Sequence, residues 1–172
     1  AHNNKGIVLT ELGRISEAVA SFNTAIEINS SHAETFNNRG VCYWKKRQLP
    51  EAISDYDKAI TLKPDYISAI VNMATTLCEL HRYQEARTFV KRALDLKSDE
   101  TEALALQLEI ATRQCDWIDF ESRLIKIRKN VEAGNPLKPF LVVTTIDDPS
   151  LQQRSAANWT ASLYPPKKSP SI

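Results

Sequence analysis

The chain has 172 residues, of which 42% are hydrophobic and 25% charged, and its net charge is +1, the make-up of an ordinary globular domain. Without a basic stripe, and without aromatic residues interleaved with Lys and Arg, there is no electrostatic footprint for nucleic acid or a membrane surface. No apolar run approaches the roughly 20 residues that a membrane span requires.

In chain order, the first predicted helix runs to Leu12 and turns at Gly13, and the second starts behind Ser16 as its cap and ends near Asn29. The first helix enters without its opening turn, so the chain is expected to be cut from something longer. Ser31 with Glu34 predicts a capping box for a third helix ending near Lys46. Pro50 suits the first turn of a fourth that ends at Leu62. A fifth helix carries Ile67, Ile70, Met73, Leu77 and Leu80 on its apolar face and turns at residues 81–83, and a sixth runs to about Leu96. Asp99 and Glu102 form a further capping box ahead of a seventh helix with Leu104, Leu108 and Ala111 on its inner face. Tyr43, Ile53, Tyr56, Leu77, Ala86 and Leu94 are expected to be buried.

These elements repeat. Shifting residues 33–66 by 34 in either direction places Gly6, Gly40 and Ala74 in register, and likewise Ala18, Ala52 and Ala86, then Ala25, Ala59 and Ala93, then Phe22, Tyr56 and Val90. A residue without bulk where paired helices cross permits close approach. The pattern resembles the tetratricopeptide repeat, a 34-residue helix-turn-helix unit. The resemblance implies an all-α, right-handed solenoid with three regular units (1–32, 33–66 and 67–100). A modified or capping unit (101–134) should follow, because Leu108 and Phe120 stand where small residues are required and the Phe120 ring should push the helices apart.

Residues 115–120 read Cys-Asp-Trp-Ile-Asp-Phe and lead through a proline-spaced segment to Asp147, Asp148 and Pro149. Asp148 is placed to cap a helix with Pro149 in its first turn, over about 148–163 within a linker of residues 135–172. This junction resembles that of the peptide O-linked N-acetylglucosamine transferase family and its bacterial relatives, in which repeats lead through a linker helix into a two-lobed glycosyltransferase. The nucleotide-sugar lobes of that family would follow Ser169 and Pro170. No catalytic residue is carried over, and the chain as given is read as a non-enzyme. The linker helix, deprived of a domain to dock on, is expected to self-associate through Trp159.

No phosphate loop, nucleophile elbow or ligand cluster is present in the sequence, so no cofactor and no metal site is assigned. Cys42, Cys78 and Cys115, spaced 36 and 37 residues apart, give no disulfide framework; they are read as reduced core thiols in a cytoplasmic setting. His2, His32 and His81 are equally scattered.

The chemically informative series is Asn4, Asn38 and Asn72, one per unit at the sixth place of the repeat, with Asn3 and Asn37 beside two of them. An amide both donates and accepts, matching the backbone of an extended peptide. The resemblance implies that these amides line the concave groove and hold proteins or extended peptides by their backbone. They could instead bond between neighbouring helices. Leu106 ends the series. A chaperone-tail adaptor is disfavoured, since residues 66–80 hold no Lys or Arg to clamp a carboxylate. A stand-alone scaffold for multiprotein assembly is the remaining alternative, with Tyr43 and Trp44 read as inter-repeat packing.

Overall fold

The structure is a computed structural model and describes residues 1–136 and 148–163. Among these it holds nine helices and no strand: α1 (His2–Glu11), α2 (Ile15–Ile28), α3 (Ala33–Lys45), α4 (Leu49–Leu62), α5 (Ile67–Glu79), α6 (Tyr83–Leu96), α7 (Thr101–Arg113), α8 (Phe120–Glu132) and α9 (Pro149–Leu163). They divide into two compact units, residues 1–96 and residues 97–172. Asp147, Ser169 and Pro170 lie outside the described residues.

In the first unit, α2, α4 and α6 start at 15, 49 and 83, in steps of the 34-residue repeat. Each helix pairs with the next along the chain, and the close approach expected at the small residues has a definite partner. A Cβ added to Gly6 would lie 2.5 Å from the ring of Phe22, and one added to Gly40 would lie 2.7 Å from that of Tyr56. The third unit matches Ala74 with the smaller Val90, both buried. Ala18, Ala52 and Ala86 are fully enclosed. Of the residues expected in the core, Tyr56, Leu77 and Ala86 are buried, whereas Tyr43, Ile53 and Leu94 are half-buried because their helices also face solvent.

The turns repeat as faithfully as the helices. Gly13, Arg47, His81 and Cys115 all adopt positive φ, between 53° and 73°, at successive steps of 34. At each, two bonds close the helix end in a Schellman motif: Gly13 N–H to Thr10 and Arg14 N–H to Leu9, with the same pair at Trp44 and Tyr43, Cys78 and Leu77, and Thr112 and Ala111.

The expected helix starts need correction. Ser16 lies inside α2, which begins at Ile15 behind Arg14. Ser31 does not cap α3, because its N–H and hydroxyl both donate to Asn29 Oδ1 at 3.0 and 2.8 Å, leaving His32 as the flanking residue. Asp99 does not cap α7, whose flanking residue is Glu100. What the second helices share is a glutamate in the first turn, Glu17, Glu51 and Glu85, which favours the positive helix end.

In the second unit the register breaks after Cys115. Positive φ recurs at Asp119, and α8 starts at 120 rather than at the 117 that the repeat predicts. Phe120 therefore opens α8 instead of sitting a turn inside it, and its half-buried ring meets Trp117 edge-on at 5.0 Å. The small residue's place is taken by fully buried Leu108. The linker helix is also not left searching for a partner. α9 lies against α8 with Leu151 and Ser155 buried, and Asn158 Nδ2 donates to the Val131 carbonyl at 2.8 Å, near the end of α8. Trp159 is half-buried within the same chain, so the ground for expecting self-association through it is gone.

Two measurements follow. Gly40→Ala should cost about 1–3 kcal/mol in denaturant unfolding, since the Cβ meets the Tyr56 ring. Adding Tyr56→Val, which copies the Ala74 and Val90 pairing, should make the double mutant more stable than the sum of the singles by about 1 kcal/mol or more; simple additivity would exclude the ring as the constraint. The second concerns α9. Asp148 Oδ1 accepts from the Ser150 hydroxyl at 2.7 Å and from the Leu151 N–H at 3.1 Å, and Oδ2 accepts from Arg128 at 2.8 Å. These bonds hold its carboxyl at about 2, below an ordinary value of 3.8. A depressed carboxyl stabilises above its unfolded value and loses that contribution as pH falls through the folded one. Hydrogen exchange in α9 should therefore be slower than in Asp148→Asn at neutral pH, with the difference vanishing between about pH 4 and pH 2.

Candidate functional site

The amide series lies on α1, α3 and α5, the first helices of the three repeats. α1 lies beside α3 and α3 beside α5, while α2, α4 and α6 approach one another less. Stacked pairs that are closer on one side curve toward it, so α1, α3 and α5 line the concave side. Residues three apart on a helix share a face, so the row Asn4, Asn38 and Asn72 shares one face of these helices with the row Ile7, Val41 and Thr75. Asn4 is exposed, and the other five are half-buried.

The five predicted amides are not equivalent. Asn37 is buried and is a strut: Asn72 Nδ2 donates to its Oδ1 at 2.9 Å, joining α5 to α3. The neighbouring Tyr66 phenol is pushed up first by burial and then by Glu34. Asn3 Oδ1 accepts from the Thr35 hydroxyl at 3.2 Å, joining α1 to α3, and that hydroxyl also meets His32 Nδ1 at 2.7 Å. Asn38 is only loosely engaged, its Nδ2 lying 3.5 Å from Asn3 Oδ1 and its Oδ1 3.5 Å from Asn37 Nδ2, beyond the usual 2.7–3.2 Å range. Residues at the fifth place therefore brace the helices. Those at the sixth are less engaged, Asn4 being exposed and Asn38 held only at 3.5 Å, whereas Asn72 donates to Asn37.

The β-branched row Ile7, Val41 and Thr75 was not singled out from sequence, although its 34-residue spacing and its place three residues after each Asn were there to be read. Beyond it, Trp44 Nε1 donates to Glu79 Oε1 at 2.8 Å and Arg47 pairs with the other oxygen, so Trp44 links α3 to α5 as expected of inter-repeat packing. Behind the groove, Arg39 forks onto buried Asp55 at 2.6 and 2.8 Å and donates to Asn23 at 2.7 Å, which ties α2, α3 and α4. The Asp55 bond, outweighing burial, raises the guanidinium further.

Cys42 and Cys78 are buried, whereas Cys115 is exposed and so is not the core thiol expected, and none of the three forms a disulfide. Burial pushes the Cys42 thiol up, and the Thr10 hydroxyl lies 3.2 Å from its sulfur; it belongs to the core. Among the described residues no group of His, Cys, Asp and Glu could hold a metal ion, and no helix is long and apolar enough to cross a membrane.

Comparison with known proteins agrees with this architecture. No curated protein sequence matches. The C-terminal part of MamA from Desulfovibrio magneticus (residue 41 to the end) superposes with a TM-score of 0.70 at 17% identity, covering 77% of this chain and 75% of that one. The first TPR of Spaghetti (RPAP3), bound to an HSP90 peptide, gives 0.65 at 21% identity over 66% and 90%. The TPR domain of Arabidopsis OM64 gives 0.64 at 22% identity over 65% and 93%. These likenesses concern the fold. Models of the tetratricopeptide repeat match residues 6–47, 33–66 and 67–97. Over residues 6–97, more than half its length, the chain belongs to the tetratricopeptide-repeat family.

Proposed function

We propose that the first unit is a protein-interaction module that holds an extended peptide in its concave groove by the peptide backbone. The observation that carries this reading is the difference between neighbouring amides: Asn37 is consumed as a strut, while Asn4 is exposed and Asn38 has no bond shorter than 3.5 Å. Helices in contact stack about 10 Å apart, so each rung would meet a guest about every third residue. The row of Ile7, Val41 and Thr75 offers apolar surface for small guest side chains. Two structures like this one are described as complexes with chaperone peptides, SRMEEVD and SGPTIEEVD. Here α5 contains no Lys or Arg, which disfavours such acidic tails as the guest.

A finer reading makes this module the substrate-recruiting arm of a protein resembling the peptide O-linked N-acetylglucosamine transferases. Its support is the Cys-Asp-Trp segment, where the repeat register ends, followed by the Asp148-capped helix. The reading frame after Ile172 tests it: a nucleotide-sugar-binding domain supports the arm, and a stop codon leaves a binding module or scaffold alone.

The amides themselves give two expectations. Asn37→Ala strands the Asn72 donor and should cost about 1–3 kcal/mol in denaturant unfolding, whereas Asn4→Ala should stay within about 0.5 kcal/mol. For binding, peptides of about ten residues, enough to span three rungs, would be selected from a random display library. Replacing Asn4, Asn38 and Asn72 with Ala should weaken them on the order of tenfold to several hundredfold at full folding. Some stability is lost with Asn72, so affinity is measured well below the mutant's unfolding midpoint. Unchanged affinity there would remove the ladder as a binding device.

A further inference from the structure

The helix face that carries Asn4, Asn38 and Asn72 also carries the residues seven further on, Glu11, Lys45 and Glu79, and the residue four before Asn38, Glu34. Two of these four charged side chains are already engaged. Glu79 accepts from Trp44 Nε1 at 2.8 Å and pairs with Arg47, and Glu34 lies 3.4 Å from His32 Nε2 and 3.6 Å from Lys63 Nζ. Glu11 and Lys45 are different: both are exposed, and neither forms an ion pair among the described residues. They occupy the same place in neighbouring repeats and carry opposite charge.

Spacing decides which guest can answer both. First helices in contact lie about 10 Å apart. A polyproline II segment has three residues per turn and rises about 3.1 Å per residue, so its residues i and i+3 point the same way about 9 Å apart. A β-strand alternates sides, so its residue i+3 points away from the face that residue i presents. The polyproline form also makes no internal hydrogen bond, which leaves its N–H and C=O groups open to the amides of Asn4 and Asn38.

We propose that the guest is a segment in the polyproline II form carrying two oppositely charged residues three apart, the cation over Glu11 and the anion over Lys45. The inference rests on the concave groove as the guest's seat and adds to it the guest's conformation and charge. The pair also fixes the guest's direction, since an amide both donates and accepts and so meets a backbone running either way. Glu79, neutralised by Arg47, makes no such demand at the third rung.

The test titrates the full chain with labelled ten-residue peptides of Ala and Pro, each carrying one Lys and one Glu separated by two, three or four positions, in either order. In the better order, a separation of three should bind about threefold to tenfold tighter than the other separations and than the same peptide with Gln at both places, with the gain fading at about 0.5 M salt. Lys45→Glu should shift the preference to Lys at both places, and Glu11→Lys to Glu at both. A best separation of two or four, or a ranking that neither variant changes, would overturn the proposal. The groove itself survives such a result if the Gln peptide still loses affinity when Asn4, Asn38 and Asn72 are all replaced by Ala. If that triple mutant binds the Gln peptide unchanged, or no peptide of the series binds, the groove falls and the proposal with it.

Discussion

The first unit depends on how near the two helices of a repeat can come, and that distance is set by one position. Where Gly6 and Gly40 stand, the ring of Phe22 or Tyr56 occupies the volume that a Cβ would need. The third repeat relaxes both sides of the same contact, Ala74 against Val90. Glycine inside a helix carries a propensity cost near 1 kcal/mol, and burying an aromatic ring removes enough apolar surface from water to outweigh it. The ring does double duty. Phe22 also reaches Cys42, and Tyr56 also reaches Thr76, both on the next first helix. One residue thus sets the pairing within a unit and the stacking between units, which explains why the register holds through three copies.

Much of this was legible because packing repeats and sequence shows repetition directly. The boundaries from α1 to α7 follow from the 34-residue spacing, and Asp148 with Pro149 could be read as a helix start because its geometry is local. The expected caps failed for an equally local reason: several acceptors compete. Asn29 captures Ser31 before Ser31 can reach α3, and no pattern ranks two such bonds in advance. The Phe120 expectation assumed that the register survived a segment with two residues of positive φ, Cys115 and Asp119. Neither is glycine, so no residue type marked the extra turn.

The amide series shows where sequence alone stops. Position in the repeat placed Asn3, Asn4, Asn37, Asn38 and Asn72 together, yet residues one apart on a helix differ by about 100° in direction. That difference separates a buried strut from a side chain open to the groove, and only burial and distances assign each to its role. In the proposed binding mode, bracing and binding are coupled. An amide that is to meet a guest backbone must be held at a fixed height along the groove, and the bonds Asn72 to Asn37 and Thr35 to Asn3 fix the first helices against one another. A guest bound in that way would meet groups already ordered, and less entropy would be lost on binding.

The second unit follows a different logic. Fully buried Leu108 cannot offer the close approach that Gly6 and Gly40 allow, and the segment between α7 and α8 takes two left-handed residues before a helix resumes. α8 is then stabilised from outside the repeat, by α9 along its side and by Asn158 on the Val131 carbonyl near its end. A regular repeat would present that side to another copy of itself. Here it is closed by a helix whose small face, Ser155 and Leu151, is fully buried, and whose start is anchored by Asp148 to Arg128 of α8. The 34-residue register is therefore lost at residues 115–120, and α9 supplies burial for α8 of the kind that stacked repeats give one another.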